Sequence, residues 1–108
     1  MNQIELLYFD GCASWQAGLQ ALEEALATGG FPAAVRLVKI TSPERAQAER
    51  FLGSPSFRVN GIDLWPEQRS QYALSCRVYA TPHGLKGCPT ATMLLEEIQR
   101  CISSSPTG

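Results

Sequence analysis

Four cysteines, Cys12, Cys76, Cys88 and Cys101, are the residues of this chain best equipped for chemistry. A thiolate attacks disulfides, forms them, or binds soft metal ions. No two cysteines have C-x-x-C spacing, so no local sequence writes a zinc knuckle or a dithiol redox site. Four widely spread cysteines are also too few for the disulfide framework of a small secreted domain. Each thiol is therefore judged by its setting.

Cys12 lies in "LYFDGCASW", between a run of strand formers and the start of a helix. A helix N-terminus presents unpaired N–H groups and the positive end of the macrodipole, and both favour the thiolate. Asp10 works against this if its carboxylate is near the sulfur. Free cysteine also serves as a small buried hydrophobe, but the junction, with Gly11 before it, favours a reactive Cys12. Trp15 begins the apolar stripe of the helix. Core packing is its first reading, and a ring partly covering Cys12 is the second.

Cys88 precedes Pro89 at the start of the last helix and meets a similar helix terminus. His83, the sole histidine, sits in a "TPHG" turn as a solvated residue and a minor candidate for a base toward Cys12. In "LSCRVY", alternation puts Cys76 on the face of Leu74 and Val78, a face expected in the core. Cys76 is the second choice as a resolving thiol. Cys101 shares an apolar helix face with Leu94 and Ile98 and is expected to be buried and inert.

The elements that must position these thiols follow from periodicity. "IELLYF", residues 4–9, reads as a strand covered on both faces. Trp15, Leu19, Leu22 and Leu26 form one stripe of a helix that Gly29 and Gly30 end. Residues 33–40 read as a second strand. Ser42 caps a short helix with Pro43 at its first position and Gly53 as its stop. Asn60-Gly61 in "SFRVNGIDLW" is a strong hairpin signal. Either "IDLW" or "LSCRVY" supplies the fourth strand, residues 80–87 read as loop, and Pro89 opens the last helix. A right-handed crossover makes the first two strands parallel.

Composition narrows the function. The 108 residues, 44% hydrophobic, suit one domain, and 9 basic against 10 acidic side chains, all scattered, form no nucleic-acid footprint. Acidic pairs Glu23-Glu24 and Glu96-Glu97 belong on solvent faces. The first strand begins too early for a signal segment, and no apolar run approaches the ~20 residues of a membrane span. A cytoplasmic protein is expected. No phosphate-cradling or serine-hydrolase motif is present, and no cofactor or resident metal is expected.

The order β-α-β-α-β-β-α, Cys12 at the first strand-to-helix junction and Ser54-Pro55 opening the third strand resemble the thioredoxin-like superfamily. The runs "LLYFDGCASW", "FLGSPSFRVNG" and "LSCRVY" are similar to small bacterial thioredoxin-family proteins. The resemblance implies an α/β fold with a mixed four-stranded sheet ordered 2-1-3-4 and helices on both faces. It makes strands one and two parallel, with three and four antiparallel to them. It covers a single domain over residues 1–102, with a frayed tail at 103–108. It also implies a cis peptide before Pro55, which would lie beside Cys12, with Ser54, Pro55 and Trp15 forming a substrate-binding surface. That topology brings the loop of residues 80–88, with His83 and Cys88, to the same sheet edge as Cys12.

One departure is plain: the position of the second thioredoxin cysteine holds Trp15. The resemblance therefore implies monothiol thiol–disulfide exchange through Cys12, with a protein disulfide or small-molecule thiol as partner. Cys88, Cys76 or the external thiol would resolve the mixed disulfide. Two alternatives stand beside it: a binding module that lost the chemistry, and soft-metal binding through Cys12 with Cys88 or Cys76.

Overall fold

The computed structural model describes residues 2–31 and 34–103. Strand β1, Ile4–Tyr8, lies inside a four-stranded sheet ordered β2-β1-β3-β4. Its partners are β2, Val35–Lys39, in parallel, and β3, Ser56–Val59, in antiparallel. The mixed α/β architecture and the 2-1-3-4 order are those expected from the sequence.

The apolar run of β1 is explained by two cores. Ile4 and Leu6 pack with Phe57, Val59 and the helix residues Leu22, Leu26, Leu94 and Ile98. Leu7 turns to the other face and packs with Ile40, Ala46 and Phe51. Helices α1, Trp15–Gly29, and α3, Ala91–Ser103, thus share one face, while α2, Pro43–Glu49, covers the other. Each fully buried leucine contributes about 1.5–3 kcal/mol, so β1 gains from both faces at once.

Local signals set the ends of the elements. Gly30 stops α1 at φ 69°, a left-handed conformation that suits glycine. Ser42 caps α2 by accepting the Arg45 N–H at 3.0 Å. The helix ends at Arg50 (φ 52°), before the expected stop at Gly53. The chain turns early because Phe51, fully buried, must enter the second core.

Asn60 and Gly61, at φ 53° and 84°, turn β3 into β4, Ile62–Asp63. Residues 62–63, and not "LSCRVY", therefore supply the fourth strand. Being antiparallel to β3, β4 runs in the direction of β1, which corrects the expectation that both strands oppose it. The tight hairpin imposes this reversal.

Residues 80–87, expected as loop, are not plain loop. Tyr79–Thr81 (β5) and Gly84–Lys86 (β6) form a separate two-stranded hairpin. Of the tail expected at 103–108, Ser103 is the last residue of α3; residues 104–108, and residue 33 of the expected second strand, lie outside the described residues. No helix among the described residues is long and apolar enough to cross a membrane.

Candidate functional site: a corner of thiols

The turn after β1 holds Cys12 by a backbone bond from its N–H to the Phe9 carbonyl at 3.1 Å. The side chain points inward, and the residue is 5% exposed. Its Sγ–H donates to the Ser54 carbonyl at 3.3 Å, and the sulfur accepts the Ser14 N–H at 3.4 Å. Ser14 is the N-cap of α1 and makes no side-chain cap bond. The sulfur is therefore the side-chain acceptor for an amide at this helix start.

Opposite Cys12 stands Ser54-Pro55, whose peptide bond is cis. Both residues are buried. The Ser54 hydroxyl accepts the Phe9 N–H at 3.3 Å. The Ser54 backbone is also engaged on both sides: its N–H donates to the Ser75 carbonyl at 2.8 Å, and its carbonyl accepts the Arg77 N–H at 3.1 Å. Together these bonds form an isolated parallel bridge between Ser54 and Cys76.

That bridge brings Cys76 to the corner. The Cys76 thiol lies close enough to Cys12 for the two side chains to interact, while Cys76 itself is exposed. Desolvation raises its pKa first, and the neighbouring Cys12 raises it further by charge and hydrogen bonding. The expected phase of "LSCRVY" is thereby reversed. Arg77 and Tyr79 point inward, at 5% and 4% exposure, and Val78 lies outside at 63%.

An ion pair explains the reversal. Arg77 Nη1 donates to both carboxylate oxygens of Asp63, at 3.2 and 3.0 Å, and to the Ser56 hydroxyl at 3.2 Å. Its Nη2 donates to the Trp65 carbonyl. Burial disfavours the guanidinium charge, but Tyr79, Asp63 and Glu67 outweigh it and raise its pKa. Tyr79 beside it donates its hydroxyl to the Pro55 carbonyl at 2.5 Å, and burial raises its phenol pKa. Alternation counted Arg77 as solvent-facing because it weighs side chains singly; a charge that finds all its partners inside is invisible to it. The available signal was Asp63 and Arg77, each a lone charge in an otherwise apolar strand-like run.

Gly53 permits this packing, since a Cβ there would stand 2.9 Å from Arg77 Cβ. Gly87 acts similarly at the other end of the corner: its Cβ would meet Ser14 Oγ at 2.2 Å. The chain leaving β6 is thus laid against the start of α1, and Cys88 follows at once. Cys88 is partly buried; burial raises its pKa first, and the charge of Cys12 adds to the effect. Among the described residues, no group of three or more His, Cys, Asp or Glu is arranged to hold a metal ion.

The remaining expected residues sit as follows. Trp15 stacks on Tyr8 with ring centroids 4.1 Å apart and packs against the main core. His83 is exposed in the β5–β6 turn, its backbone N–H donating to Thr81 Oγ1 at 3.1 Å. Asp10 pairs with Lys39 Nζ at 2.6 Å, which gives its carboxylate a partner other than the sulfur. Cys101 is partly buried rather than buried, packed against the main core. A groove of 620 Å³ lined by Trp65, Arg77, Tyr79, Met93, Glu97 and Arg100, among others, contains no cysteine. No protein-family model matches the chain, and a search of curated proteins returns no match.

Proposed function

We propose that this protein carries out thiol–disulfide exchange on a thioredoxin-like fold, with Cys12 and Cys76 as its dithiol. One observation carries the reading: the backbone bridge sets the exposed Cys76 beside Ser54, whose carbonyl accepts the Cys12 thiol at 3.3 Å. A second cysteine three residues after Cys12 is then unnecessary, because a segment distant in sequence provides the second sulfur of the pair. The sheet order and the Cys12 bond to Ser54 support the assignment of fold type. Cys88 is the outlying third thiol, and the partner is a molecule carrying a disulfide or a thiol.

The test is disulfide mapping. The reduced protein is equilibrated with mixtures of reduced and oxidised glutathione, quenched in acid and digested. A Cys12–Cys76 linkage that forms and breaks reversibly with the glutathione ratio is the expected result. Its absence across the whole range, with Cys12 remaining a thiol, would rule the reading out.

The same pair favours one second reading, a two-thiolate site for a soft ion such as Cu(I). Metal content after reductive purification separates the two. Equal copper in the parent and in Cys12→Ser removes this alternative.

A further inference from the structure

Within that proposed exchange reaction, we infer that Cys76, and not the helix-start Cys12, is the thiol that attacks the external disulfide, and that the substrate is a low-molecular-weight disulfide. Cys12 is the interior thiol that completes the reaction.

Access decides the first half. Attack on a disulfide requires the thiolate to approach along the S–S axis from the far side of the leaving sulfur. Cys12 is 5% exposed, and its sulfur is held between the Ser54 carbonyl and the Ser14 N–H. Cys76 is exposed and stands on the outer side of a segment whose alternate residues, Arg77 and Tyr79, are anchored inside. An arriving molecule reaches Cys76 first.

Backbone pairing decides the second half. A polypeptide substrate gains affinity by adding a strand to free backbone groups. At Ser54, beside the thiols, both backbone groups are already bonded to Ser75 and Arg77 of the same chain. The segment around Cys76 occupies the place where an incoming strand would pair, so a docking peptide loses its main-chain anchor. A small disulfide needs none.

The step balances as follows. Cys76 releases its proton to solvent and attacks one sulfur of RSSR, forming Cys76–S–S–R; the departing RS⁻ takes up a proton. Cys12 then loses its proton and attacks the Cys76 sulfur. The Cys12–Cys76 bond forms, and a second RS⁻ leaves and is protonated. RSSR gains two electrons to become two RSH, and the protein dithiol loses two.

The test uses the full-length chain with glutathione disulfide as the probe, acid quenching and peptide mass mapping. In Cys12→Ser, and in Cys12→Ala should the serine prove unstable, a persistent glutathione adduct forms on Cys76 at close to the parent's initial rate. In Cys76→Ser, Cys12 is modified roughly tenfold more slowly in native buffer and at an ordinary rate in denaturant. Equal native rates at Cys12 and Cys76 overturn the assignment. Insulin, a protein disulfide, is reduced more slowly than glutathione disulfide by about tenfold or more; equal rates overturn the substrate class. Adduct formation at Cys76 without any later Cys12–Cys76 bond leaves the attacking role intact and removes the exchange function itself.

Discussion

Arg77 and Asp63 form a two-pronged ion pair inside the protein, with Nη1 at 3.2 and 3.0 Å from the two carboxylate oxygens. Their side chains are 4% and 9% exposed. Because Arg77 is drawn inward, its chain neighbour Cys76 is turned outward at the bridge to Ser54. Arg77→Ala leaves the Asp63 carboxylate buried and uncompensated, and should cost about 3–5 kcal/mol in urea denaturation. The double change Arg77→Met with Asp63→Leu should recover much of that loss. A cost in Arg77→Ala below about 1 kcal/mol would show that the pair is no better than a surface one.

The Gly87–Ser14 contact lends itself to a compensating pair. In Gly87→Ala the new methyl meets Ser14 Oγ at 2.2 Å and Cβ at 2.9 Å. The expected destabilisation is about 1–3 kcal/mol. Ser14→Gly removes both obstructing atoms, and at an N-cap serine-to-glycine costs only about a few tenths of a kcal/mol. The double variant should therefore be more stable than Gly87→Ala alone. Simple additivity of the two losses would show that the hairpin is not laid against α1.

Two serines at helix starts should respond differently to alanine. Ser42 accepts the Arg45 N–H at 3.0 Å, whereas Ser14 makes no side-chain cap bond. Ser42→Ala should cost about 1 kcal/mol and Ser14→Ala distinctly less. Thermal unfolding of the two variants side by side reads the difference, and equal losses would contradict it.

Alkali should weaken the fold. Cys76, Cys88 and Tyr79 all have raised pKa values, chiefly through desolvation. Groups raised in the folded state hold protons that the unfolded chain releases first. Their contribution is complete below the ordinary thiol pKa and is lost as pH climbs through the raised values. The urea midpoint should fall from neutral pH into the alkaline range, and fall less in Cys88→Ser, whose thiol is partly buried. An unchanged midpoint across that range would contradict the shifts.

Much of the fold was legible because local rules act on neighbouring residues. The doubly apolar run of β1, the spacing from Trp15 to Leu26, the cap at Ser42 and the Asn60-Gly61 turn each set an element through the chain's own periodicity and backbone preferences. Together they determined the mixed sheet, its order by resemblance, and the placing of Cys12 at a helix start. Two misreadings share one cause. Arg77 turned inward and Cys76 outward, and α2 stopped at Arg50 instead of Gly53, because a buried ion pair and a buried Phe51 outweighed the local pattern. Which thiol stands beside Cys12 was likewise left to tertiary structure. Cys76 is more than sixty residues away along the chain, and what joins them is a single bridge to Ser54 that only the folded sheet edge and the inward pull of Asp63 create.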